Sequence, residues 1–120
     1  MDQGAEGEML LNDSELEGVR PRNVRACPDT VISGQPDSMC WEVETGTDRR
    51  LGIYETRPGA WRVDASSQEF THILSGRAIL RPDGGGALYL GPGDSLSLRR
   101  GFRGIWEVVE TVRREFVTTA

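Results

Sequence analysis

From residue 31 onward, apolar positions come in short runs, several of which alternate with polar ones. Leu96 and Leu98 alternate with Ser95 and Ser97; Leu88 and Leu90 flank Tyr89; Val112 and Phe116 share a two-residue period in 112–117. A period of two marks a half-buried strand. Clusters of Gly, Pro and Asp separate the runs at 33–37, 57–59, 82–86 and 91–94. Regular turn signals between short β-prone runs predict an all-β sandwich or barrel. No stretch beyond residue 20 holds a helical period for three turns. Strands are expected near 39–44, 50–56, 60–64, 68–74, 77–81, 87–90, 95–98, 104–109 and 112–118. That many strands without a crossover helix suits a jelly roll.

Residues 1–30 read differently. The first eighteen carry six acids (Asp2, Glu6, Glu8, Asp13, Glu15, Glu17) and no base. Such a segment is expected to be partly disordered, or to form an arm lying across a partner subunit. Residues 31–120 are the folded domain. A chain of 120 residues predicts a single domain.

Charge and composition narrow the function. The net charge is −5 with no basic cluster, which argues against a nucleic-acid role. No apolar run is long enough for a membrane helix, and no secretory signal is legible, so a cytoplasmic protein is expected. All fourteen basic residues are arginine. The absence of lysine reads as coding bias, as in a GC-rich bacterium, and excludes a lysine nucleophile or Schiff base. Cys27 and Cys40 lack CxxC spacing and read as ordinary buried thiols, with a disulfide between the first strands as the alternative.

Two motifs carry more specific information. In 59–76, Gly59 is followed by Glu69, and six residues separate Glu69 from Gly76. In 93–104, Gly93 and Gly101 take the glycine places of a second motif; Arg99 stands where proline is usual and Gly104 where histidine is usual. Together these resemble the two cupin motifs. Gly52, Tyr54, Glu55, Pro58, Trp61, Trp106 and the run 112–117 are similar to the short cupins related to ureidoglycine aminohydrolase and to the ethanolamine-utilisation cupin. In that subfamily a lysine often stands at position 114. The resemblance covers roughly 33–118. It implies a double-stranded β-helix, the RmlC-like jelly-roll barrel, usually paired as a homodimer.

A typical cupin holds its metal with three histidines and one glutamate. This chain has one histidine, His72. The expected His-x-His pair falls on Arg62 and Asp64, or on Val63 and Ala65. Glu69 is the only standard ligand left. If Glu69 points inward, Thr71 and Ile73 do too, while Phe70, His72 and Leu74 point away. No metal site is therefore expected, although a divalent metal at Glu69 stays open. A buried carboxylate with no countercharge is costly. Arg62 or Arg103 is expected to replace the metal's charge, and either could clamp a ligand carboxylate. The alternative is that Glu69 only bonds backbone or Tyr54.

Tyr54, Trp61, Arg62, Glu69, Thr71, Arg103 and Trp106 are thus the candidate ligand-binding residues, with Glu69 also the candidate catalytic group. Trp41 and Trp61 could line the barrel mouth, and Trp106 the space the histidine would fill. Asp94 reads as stabilising a turn. Three functional classes remain open. One is a metal-free barrel binding a small carboxylate, ureide or amine. Another is a small-metabolite enzyme similar to ureidoglycine aminohydrolase, with Glu69 as general acid or base or as residual metal ligand. The third is a structural or accessory subunit of a metabolic pathway.

Overall fold

The computed structural model describes residues 16–45 and 49–119. The expectation of a disordered segment or arm falls, for residues 1–15, outside the described residues. Nine strands are present among those described: β1 (Arg22–Val24), β2 (Val31–Gly34), β3 (Ser38–Thr45), β4 (Arg49–Thr56), β5 (Gly59–Asp64), β6 (Gln68–Pro82), β7 (Leu88–Leu90), β8 (Ser95–Leu98) and β9 (Arg103–Thr119).

All pairings are antiparallel, and two long strands organise them. The first half of β6 and the second half of β9 join β1, β3, β4 and β8 in one curved layer, ordered β1-β3-β4-β9-β6-β8. Their other halves join β2, β5 and β7 in a facing layer, ordered β2-β5-β9-β6-β7. Sharing the two strands curls the sheet into a jelly-roll barrel.

Residues 68–74 and 77–81 were expected as two strands, as were 104–109 and 112–118. Each pair is one strand, because a bend need not break an extended backbone. The bend in β6 lies at register shifts between Ile73 and Ala78. Gly76, at φ 89°, sits so close to β9 that a Cβ there would lie 2.1 Å from the Thr111 carbonyl oxygen. β1 and β2 were not foreseen. Neither Arg22–Val24 nor Val31–Gly34 alternates, and both form by pairing along β3 and β5.

The barrel interior is divided. Ile73, Ala78, Leu80, Leu98, Trp106, Val108 and Val112 form a tightly packed apolar cluster, flanked by Val63, Leu96 and Phe102. Burying those side chains is the main stabilising term of a domain this small. Toward β3 and β4 the inner face carries Glu42, Arg50 and Tyr54 instead, so the polar groups gather on one side.

Candidate functional site

The centre of the site is an ion pair between Glu69 on β6 and Arg114 on β9. Arg114 Nη1 donates to Glu69 Oε2 at 2.5 Å and to Thr71 Oγ1 at 3.0 Å. Thr71 Oγ1 in turn donates to the Glu115 carbonyl at 3.0 Å, so its hydroxyl holds Arg114 against the backbone of its own strand. The side chains of Arg114 and Glu69 are 13% and 23% exposed, low enough to raise the strength of the pair above that of a surface contact.

The local sequence dictates this placement. On β9, Val112, Arg114 and Phe116 share one face, and Val112 and Phe116 are both core residues. Strand alternation therefore turns Arg114 inward. Aromatic rings flank it: its guanidinium carbon lies 4.9 Å from the centre of the Tyr54 ring and 5.8 Å from that of Trp106. Cation–π attraction supports the charge there.

A second pair stands beside the first. Arg50 Nη2 donates to Glu42 Oε1 at 2.8 Å and to the Tyr54 hydroxyl at 3.5 Å, and Arg22 Nη2 reaches the same Glu42 oxygen at 3.1 Å. The hydrogen bond from Arg50 holds the Glu42 carboxyl below its ordinary range, against the upward push of burial, with Arg22 assisting. Arg50 is correspondingly raised, chiefly by Glu42. Tyr54 joins the two pairs through its ring face and its hydroxyl. Cys40, on the same inner face, has its thiol pushed up by burial.

Two spaces meet at Glu69 and Arg114. One, of about 330 Å³, has Arg50, Trp61, Trp106 and the 64–67 turn around it. The other, of about 290 Å³, lies toward Tyr54, Trp61 and the segment 24–38. Trp61 borders both and stacks on Trp106, with ring centres 6.4 Å apart and planes 21° apart.

Of the residues singled out from sequence, Tyr54, Trp61, Glu69 and Trp106 come together around these spaces. Thr71 is fully buried beneath Arg114 and lines neither, so it positions the arginine. Arg62 and Arg103 do not face Glu69. Arg62 alternates with Trp61 and Val63 and so points outward, where it pairs with Asp83 at 3.0 Å. Arg103 is turned away from Gly104 and Trp106 by the same alternation, toward Asp64 at 3.5 Å. Both border a separate outer cleft. The countercharge of Glu69 is Arg114, a position the subfamily resemblance had marked only as a frequent lysine.

Other expectations resolve similarly. His72 is on the far face of β6, with Nδ1 2.7 Å from Ser95 Oγ. Trp41 does not line the mouth; it alternates away from Cys40 and lies against Arg113 on the outer face. Both cysteines are free, and Cys27 is exposed rather than buried. Asp94 closes the 91–94 turn by accepting the Gly91 N–H at 2.8 Å.

The donor set does not fit a transition metal. Among the described residues no group of three or more His, Cys, Asp or Glu side chains could hold one. The one carboxylate at the usual ligand position is taken by a guanidinium, whose charge repels a cation. At the usual histidine position, Gly104 has no room: a Cβ would lie 2.6 Å from the Arg81 carbonyl oxygen and 2.9 Å from the Phe102 ring.

A curled two-layer barrel with this motif glutamate facing inward defines a cupin. The chain belongs to the EutQ-like cupin domain family, whose profile matches residues 39–116. No curated protein sequence matches it. Among solved structures it is similar to a DUF861-family protein of unknown function from Pseudomonas syringae, at 21% identity and TM-score 0.76, over 88% of this chain and 46% of that one. This chain thus spans just under half of the Pseudomonas protein. It is also similar to EutQ of Clostridium difficile, at 15% identity and TM-score 0.62, over 70% of this chain and 68% of that one. A protein assigned as ethanolamine utilization protein Q of Salmonella typhimurium gives 15% identity and TM-score 0.63, over 84% and 96% of the two chains. At these identities the likeness is one of fold.

Proposed function

We propose that this cupin binds a small organic metabolite inside the barrel without a metal, using the Glu69–Arg114 pair where other cupins use a metal centre. The observation that carries this reading is the pair itself. A fixed, partly buried charge pair borders two spaces of metabolite size, and its arginine is held by Thr71 and two aromatic rings. Small-molecule sites are concave, mostly apolar, and oriented by a few converging polar groups.

A thermal-shift screen tests it. The panel holds small carboxylates, ureides and amines beside Mn, Fe, Ni and Zn salts. A specific ligand raises Tm by mass action. The expected result is stabilisation by an organic compound in the presence of a chelator. Arg114→Met should remove that shift, whereas Arg62→Gln and Arg103→Gln, on the outer cleft, should keep it. Stabilisation by a metal alone, with one tightly held equivalent lost in Glu69→Gln, would overturn the proposal.

A second reading makes the same site catalytic. Its support is that Glu69 borders both spaces and so can reach a bound molecule as general acid or base. In that case Glu69→Gln abolishes turnover while binding persists; in a pure binder only affinity changes.

A further inference from the structure

We infer that segment 25–30 is a movable strap over the binding space, clipped shut by Asp37, and that its release admits the ligand to Glu69 and Arg114. This rests on the binding function proposed above and deepens it by naming the way in and the residue that governs it.

The first support is topology. β1 ends one layer and β2 ends the other. Among the described residues no ladder joins those two edges. Two links cross the gap instead: 25–30, from β1 to β2, and 35–37, from β2 to β3. Both links border the 290 Å³ space. Ala26, Cys27 and Thr30 come from the first and Pro36 from the second, with Glu69 and Arg114 contributed by the long strands.

The second support is how lightly the strap is held. Among the described residues, two hydrogen bonds tie 25–30 to the rest of the barrel. The Ala26 N–H donates to Asp37 Oδ1 at 2.8 Å, which staples the two links together. The Arg62 N–H donates to the Thr30 carbonyl at 2.9 Å. Arg25, Cys27, Pro28 and Asp29 are exposed, so little apolar area holds the segment down. The link on the other side of the barrel is different. Residues 91–94 are bonded main chain to main chain with β6: the Gly93 N–H donates to the Ile73 carbonyl at 2.8 Å, and the Ile73 N–H to the Asp94 carbonyl at 2.9 Å. Segments with few buried contacts and exposed hydrogen bonds are the ones that open locally.

The third support is internal stiffness. The Thr30 and Val31 N–H groups and the Thr30 hydroxyl all donate to the Cys27 carbonyl, at 3.0, 3.2 and 3.1 Å. Residues 27–30 are therefore one turn, with the Asp37 clip at one end and the Arg62 bond at the other. Loss of the clip loosens the far end too, so the strap moves as a unit.

Native-state hydrogen exchange of the full chain tests this. The Ala26 and Arg62 amides should exchange through one opening, with equal protection, well below that of the β6–β9 ladder. Asp37→Ala should lower the protection of both about ten-fold, as the loss of one hydrogen bond does, and leave the ladder unchanged. Asp37→Asn, which keeps the acceptor oxygen, should restore it. A merely local role would move Ala26 alone. Access is read separately at Thr56, which borders the space and is 3% exposed. With Cys27→Ser and Cys40→Ala in place, the thiol introduced by Thr56→Cys should react with N-ethylmaleimide about ten-fold faster once Asp37→Ala is added. Should Asp37→Ala fail to fold, the match between Ala26 and Arg62 in the wild type carries the test. Unequal protection of those two amides, or labelling that ignores Asp37→Ala, would overturn the strap and leave the binding function standing, with entry by the 64–67 turn. Failure of every organic compound in the thermal-shift screen would overturn the binding function, and with it the strap's role in admitting a ligand, whatever the exchange shows.

Discussion

A Cβ on Gly104 would press on the Arg81 carbonyl oxygen at 2.6 Å, on the Phe102 ring at 2.9 Å and on the Pro82 Cα at 3.0 Å. Two of these neighbours are backbone of β6, which is locked to β9 by its ladder and cannot retreat. Gly104→His should therefore not restore a cupin metal centre. It should bind no stoichiometric Mn, Fe, Ni or Zn, and it should destabilise the fold by about 1–3 kcal/mol or more, as overpacking does. Metal analysis and urea unfolding of the variant check both; a stable variant holding one metal would contradict the assignment. The missing histidine and the orphaned Glu69 were legible in the sequence, because motif spacing fixes them. The partner of Glu69 was not, because motif spacing does not say which distant strand lies alongside. Cross-strand pairing brings in Arg114, 45 residues away. A signal for it did exist: Arg114 stands two residues from Val112 and two from Phe116, so an inward stripe of core residues contains one charge. Arg62 and Arg103 fail the same parity test, since their neighbours Trp61, Val63 and Gly104 are the inward ones.

Elements show the same division between local and distant information. A strand with clear alternation and flanking turns, β8, appears where the pattern puts it. β1 and β2 are short and unpatterned; edge pairing to β3 and β5 creates them. The fusion of residues 68–82 into β6 is decided by how two strands cross. At the bend, Gly76 holds φ 89° against the Thr111 backbone. Gly76→Ala should cost about 2–4 kcal/mol, combining the left-handed backbone penalty with a backbone clash. Gly85→Ala, also at positive φ but with open space around it, should cost only the backbone penalty, about 1–2 kcal/mol. Equal losses in the two variants, measured by chemical denaturation, would show that the crossing of β6 and β9 is not tightly packed.

For the whole molecule, two inner-face groups set opposite ends of a pH window. The Glu42 carboxyl is held below its ordinary 4.5, mainly by the hydrogen bond from Arg50. A carboxyl depressed in the folded state contributes stability that is full above 4.5 and is lost as pH falls through its lower folded value. The Cys40 thiol is pushed above its ordinary 9.0, mainly by burial. A thiol raised in the folded state contributes stability that is full below 9.0 and is lost as pH rises through its higher folded value. Tm against pH should thus form a plateau between those limits with a fall on each side. Glu42→Gln should lower the plateau and shallow the acid limb; Cys40→Ala should lower the plateau and shallow the alkaline limb. The alkaline side is unusually clean in this protein, because no lysine titrates there. An acid limb equally steep in wild type and Glu42→Gln would mean that the Glu42–Arg50 pair, despite its 2.8 Å contact, adds no pH-dependent stability to the barrel.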